Sequence, residues 1–113
     1  MRNFNSDEFI RLVADNPELP IMPMVDTECV KDNSYGWWAA GMGTPEIDEY
    51  YVEDERIYLK SYDLEDMVET FIDSNYDEEP YVSMTEEELE EFAKETVANY
   101  EWTKAIILPI EPQ

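Results

Sequence analysis

The sequence predicts an α+β domain: a mostly antiparallel sheet of four to five strands, two amphipathic acidic helices on one face of it, and a short N-terminal helix. Three observations carry this reading. Leu64, Met67, Val68, Phe71 and Ile72 recur at i, i+3, i+4, i+7 and i+8, a full apolar helix face. Thr85-Glu86-Glu87-Glu88 has the spacing of a capping box and opens a second stripe through Leu89, Phe92, Ala93, Thr96, Val97 and Tyr100. Short apolar runs bounded by Pro and Gly precede and follow these helices, giving the order α-β-β-β-β-α-α-β of an α+β domain.

Taken in order, Asn5 or Ser6 can cap a first helix, with Asp7 and Glu8 suited to its positive end and Phe9, Ile10 and Val13 as its stripe. Asn16-Pro17 ends it, because a residue before proline is pushed out of the helical region. Ile21 to Val25 reads as an edge strand, since Pro23 has no amide donor. A loop from Cys29 to Ser34 leads to a strand expected at Tyr35 to Ala40, and Gly41 to Pro45 reads as a turn. Glu46 to Val52 and Arg56 to Lys60 form a hairpin around Glu53-Asp54-Glu55, although no Asn-Gly pair marks the turn. In its second arm Ile57 and Leu59 should face the core. Helices follow at Asp63 to Ser74, capped by Asp63 or Ser61, and at Thr85 to Tyr100. Thr103 to Leu108 is expected as a buried strand ending before Pro109. The expected core is Leu64, Met67, Phe71, Leu89, Phe92, Val97, Ile106 and Leu108.

At 113 residues the chain is expected to be one domain, residues 1–113. Hydrophobic residues make up 43% and aromatics 13%, so it should fold rather than remain a disordered acidic chain. Its net charge of −22 argues against direct binding of nucleic acid or an anionic membrane and for a basic protein partner. The lone Cys29 cannot form an internal disulfide, and the start Met1-Arg2-Asn3-Phe4-Asn5-Ser6 has no apolar leader core. No apolar run approaches the roughly 18 residues of a membrane span. A soluble, cytoplasmic protein is the expectation; oligomeric state is not encoded in these features.

Signals for catalysis and cofactors are sparse. With no histidine, triads and metal sites built on imidazole are excluded, and Cys29 has no imidazole base. Gly41-Met42-Gly43 lacks the third glycine of a dinucleotide fingerprint. Asp73, Asn75, Asp77 and Glu79 alternate like EF-hand ligands, but Glu78 stands where that loop needs glycine and Met84 where it needs a bidentate glutamate. Scattered carboxylate pairs could in principle serve a glycosidase, yet the chain is small for a substrate cleft. No enzyme activity, metal or cofactor is expected.

What stands out is the segment Glu46 to Glu95, with 20 acidic side chains against three basic ones, Arg56, Lys60 and Lys94. Glu65, Asp66, Glu69 and Asp73 on one helix and Glu87, Glu90 and Glu91 on the next fall away from the apolar stripes. Along each axis, at 1.5 Å per residue, one charge falls every 3–4 Å or closer, near the ~3.4 Å axial spacing of phosphates on a DNA strand. Ordinary solvated faces mix signs to gain i,i+4 pairs. Trp37, Trp38, Tyr50 and Tyr51 are candidate aromatic anchors, since adjacent strand residues face opposite ways and one of each pair should be exposed.

In size, charge and folded acidic helices the chain resembles the small DNA-mimic inhibitors of phages and other mobile elements, of anti-restriction or anti-CRISPR type. That resemblance implies non-enzymatic occlusion of a basic, nucleic-acid-binding protein, with Glu65, Asp66, Glu69, Asp73, Glu87, Glu90 and Glu91 standing in for phosphates. Two further readings remain at this point: a general acidic interaction or regulatory module without mimicry, and acidity as adaptation to high salt.

Overall fold

The computed structural model describes residues 4–113; the Met1-Arg2-Asn3 part of the start discussed above lies outside the described residues. The described residues are α+β, with three α-helices and a mixed five-stranded sheet. In order these are α1 (Ser6–Asp15), β1 (Ile21–Val25), β2 (Gly41–Met42), β3 (Glu46–Glu53), β4 (Arg56–Leu59), α2 (Lys60–Asn75), α3 (Glu86–Ala98) and β5 (Thr103–Glu111). The strand order is β1-β5-β3-β4, with β2 also paired to β5. Contacts divide the chain into two compact units, residues up to Asp48 together with Lys104–Gln113, and Glu49–Thr103.

In the first unit Asn5 caps α1, its Oδ1 accepting the Glu8 N–H at 3.1 Å. Asn16 closes the helix by donating from Nδ2 to the Leu12 carbonyl at 2.9 Å. β1 runs parallel to β5 from Ile21↔Ile106 to Val25↔Ile110, whereas β2–β5 and β3–β4 pair antiparallel, which makes the sheet mixed. Pro23 sits on this edge strand as its missing donor requires. Ala105, Ile106 and Ile107 are buried in β5, and the Cys29 Sγ is buried 3.5 Å from the Ile110 carbonyl.

Two expectations fail in this unit. Tyr35 to Ala40 forms no strand; Gly41–Met42, expected as part of a turn, is the strand instead, antiparallel to Ile110 and Glu111. β5 also runs through Pro109 rather than stopping before it. The Pro109 carbonyl still accepts the Gly43 N–H at 2.9 Å, but proline cannot return the second bond of that pair. The β2–β5 ladder therefore stops at two residues. A Cβ on Gly43 would come 3.1 Å from the Pro109 Cβ, so this close approach favours glycine.

In the second unit β3 and β4 pair antiparallel, with Glu53↔Arg56 enclosing a two-residue turn. Asp54 and Glu55 both hold positive φ, 52° and 69°, the type I′ requirement met without glycine. Leu59 of the second arm is buried and Ile57 half-buried. α2 begins at Lys60, three residues before its expected start, because Asp63 Oδ2 accepts the Leu59 N–H at 2.7 Å and secures the extra turn. The capping box of α3 is complete: Thr85 Oγ1 accepts the Glu88 N–H at 3.1 Å and Glu88 Oε1 accepts the Thr85 N–H at 3.0 Å. α3 ends at Ala98 rather than Tyr100, and Trp102 Nε1 donates to the Val97 carbonyl at 3.0 Å just beyond it.

The core of this unit is Leu59, Met67, Leu89, Ala93 and Val97. Leu64 and Phe71 are half-buried, as is Leu108 in β5. Phe92 departs furthest from expectation. It lies on the margin of its stripe and is 38% exposed.

Candidate functional site

All seven carboxylates singled out from the sequence belong to the unit Glu49–Thr103, and all are exposed. Glu65, Glu69 and Asp73 follow one another at i, i+4 and i+8 on α2; Glu87 and Glu91 do the same on α3, continued by Glu95. Side chains four apart on a helix are neighbours, so each step places like charge beside like charge. Such pairs cost roughly 0.2–0.5 kcal/mol each, the magnitude that opposite charges would contribute. α2 and α3 pack against each other through their apolar stripes, leaving the acidic rows on the outside.

The three bases of this unit are already engaged. Lys94 Nζ lies 3.1 Å from Glu90, Lys60 Nζ lies 3.4 Å from Glu49 and 5.7 Å from the Trp102 ring centre, and the Arg56 guanidinium sits 4.4 Å over the Tyr58 ring. Glu90 is thus partly neutralised. Asp66 differs from the α2 row in another respect. It lines a cleft of about 320 Å³ with Arg56, Tyr58 and Tyr100.

The candidate aromatic anchors separate. Trp37 and Trp38 lie in the other unit, on a stretch without regular structure. Trp37 is 94% exposed, whereas Trp38 is half-buried against Tyr35, ring centres 5.1 Å apart. One of the pair is outside and one partly inside, but a loop rather than strand alternation sets this. Tyr50 and Tyr51 are both half-buried in β3. Tyr51 stacks on Tyr100 at 4.9 Å and touches Tyr58 and Trp102, so its ring serves the packing of its own unit.

An aromatic group at the surface was missed by the sequence reading. Phe92, Phe71 and Tyr81 form a triad with ring centres 5.5–6.1 Å apart. Phe92 presents its open side to a shallow depression of about 480 Å³ that Met84, Glu87, Glu88, Glu91 and Glu95 complete. Part of the signal was present: Glu88 and Glu95 stand at i−4 and i+3 from Phe92, hence beside it on the helix surface.

Asp73 and Asn75, two of the alternating oxygen ligands, are locked in the last turns of α2, and Asn75 Nδ2 donates to the Phe71 carbonyl at 2.8 Å. Among the described residues no three acidic or thiol side chains gather as metal ligands, and no helix is long and apolar enough to cross a membrane. Comparison with protein-family models, curated proteins and solved structures gives no match to this chain.

Proposed function

We propose that the protein is a non-enzymatic acidic binding protein that occupies the basic groove of a nucleic-acid-binding protein as a nucleic-acid mimic. Its place of action is the cytoplasm, and it touches neither nucleic acid nor membrane itself. The outward rows Glu65-Glu69-Asp73 and Glu87-Glu91-Glu95 carry this reading. Their like-charge steps are unfavourable to the isolated fold, and a partner's Lys and Arg would offset that cost on binding. Asp66 and Glu90 flank the rows and complete the acidic surface. DNA-mimic inhibitors of mobile elements work by this kind of occlusion, and the likeness in size, charge and acidic helices supports the assignment.

The test is capture of basic proteins on the immobilised chain, followed by elution with duplex DNA or with NaCl of equal ionic strength. A mimic should release its partner to duplex at concentrations where salt alone does not. In a titration with labelled duplex, Glu69→Lys with Asp73→Lys, or Glu87→Lys with Glu91→Lys, should weaken displacement while leaving the circular dichroism unchanged. Folded reversals that displace duplex like wild type would remove these helices from the mechanism. The alternative, an acidic interaction module without mimicry, draws on the exposed Phe92 ring, because a phosphate surrogate needs no apolar neighbour. A captured partner indifferent to duplex would favour it.

A further inference from the structure

We propose that Phe92 and the glutamates around it form a seat for an arginine side chain of the basic partner. The inference rests on the reading of α3 as a partner-facing surface, and it names what that surface recognises beyond charge. The Phe92 ring is held from within by Phe71 at 6.1 Å and Tyr81 at 5.5 Å, so its orientation is fixed before any partner arrives. Its outer side is open, with 38% of the residue exposed. Around it, Glu87, Glu88, Glu91 and Glu95 share the wall of the same depression with Met84. The cation nearest in sequence, Lys94, is tied to Glu90 at 3.1 Å.

Such a combination suits a group that is flat, cationic and fringed with donors. A guanidinium can lie on an aromatic face while its in-plane N–H groups reach carboxylates at the rim. The aliphatic stem of the same side chain would cover Met84 and the remaining edge of Phe92. A lysine ammonium is a compact, strongly hydrated charge and cannot satisfy ring and rim together in the same way. Charge complementarity therefore selects a basic segment, and the ring selects arginine within it.

Acetylated hexa-arginine and hexa-lysine amides of equal charge provide the probes, titrated into the full chain and followed by aromatic NMR. The Phe92 ring signals should move with hexa-arginine, while those of Phe9 in the other unit stay in place. Hexa-arginine should bind wild type about two- to fivefold more tightly than hexa-lysine, the range of an exposed cation–π contact. Phe92→Leu, which keeps apolar volume but removes the ring, should abolish that preference by weakening hexa-arginine more than hexa-lysine. Equal affinities in wild type, a preference that survives in Phe92→Leu, or unmoved Phe92 signals would each overturn the seat. The ring signals of wild type decide the matter should Phe92→Leu not fold. Loss of affinity for both peptides in Glu87→Lys with Glu91→Lys, without any arginine preference in wild type, would leave the acidic surface standing and remove only the seat. Undiminished binding of both peptides to that reversal would instead remove the surface reading beneath it.

Discussion

Tyr100 stacks on Tyr51 with ring centres 4.9 Å apart and planes 26° from parallel, fastening the chain beyond α3 to β3. The stack has a consequence for alkaline stability. Burial first, and then the Tyr51, Glu53 and Tyr58 groups, hold the Tyr100 hydroxyl above its ordinary value of 10.0. A raised folded value means that the neutral phenol is the form the fold favours. The associated stability is complete below the unfolded value near 10 and is lost as pH rises through the folded one. Tyr100→Phe cannot ionise there. Its melting temperature should fall less than that of wild type between about pH 8 and about pH 11, as read by circular dichroism; an identical fall would show that the Tyr100 phenol does not carry the effect.

Packing differences between the cores set a ranking of truncations. Ile106 is fully buried, so Ile106→Ala should cost about 2–5 kcal/mol in urea unfolding. Half-buried Phe71 supports both Tyr81 and Phe92, and Phe71→Ala should cost about 3 kcal/mol. Phe92→Ala, at 38% exposure, should cost less than either. A Phe71→Ala variant as stable as wild type would contradict the packing of α2.

The hairpin turn stores a correctable strain. Glu55 holds φ at 69°, in a region where an L side chain crowds its own carbonyl. Glu55→Gly should therefore raise stability by about 1 kcal/mol, visible as a higher urea midpoint. A lower midpoint would mean that the Glu55 side chain contributes more than its backbone costs.

Salt should stabilise this protein. Screening shortens the reach of exposed charge from about 10 Å at 0.1 M to about 3 Å at 1 M ionic strength. Helix neighbours four apart stand about 5–6 Å from each other, so the rows on α2 and α3 fall inside the screened range only at the higher value. The melting temperature should rise across this NaCl interval. A fall would indicate that favourable ion pairs outweigh the repulsion along these rows.

The helices were readable because their information is local: a periodic stripe, a capping box, a proline stop. The succession of helices and strands along the chain was likewise legible from alternating apolar runs and breakers. Tyr35 to Ala40 was not, since aromatic preference for strands reflects packing against neighbours rather than backbone bias. Just before it the Asp32 side chain accepts the Ser34 N–H at 2.7 Å, a local turn that competes with sheet pairing. Hydrogen bonds from the Ser34 side chain first, and then from its backbone N–H, hold the Asp32 carboxyl below its ordinary 3.8. Pro109 misled for a related reason: its missing donor ends one ladder without ending the strand. The acidic rows followed from helical spacing alone. The Phe92 seat did not, because Tyr81 reaches it from a single 3-10 turn, Tyr81–Ser83, between α2 and α3, too short for any periodicity to specify.

Cys29 gives the first unit a built-in clock. It is the one thiol in the chain, 94% shielded, with its sulfur against the Ile110 carbonyl at the far end of the β1–β5 pair. A thiol reagent can reach it only when that corner opens, so the labelling rate counts openings at Cys29. The aromatic signals of Tyr51 and Tyr100 belong to the other unit and report on it separately. Two native reporters, one chemical and one spectroscopic, thus stand at two separate places in a 113-residue chain, with no label introduced.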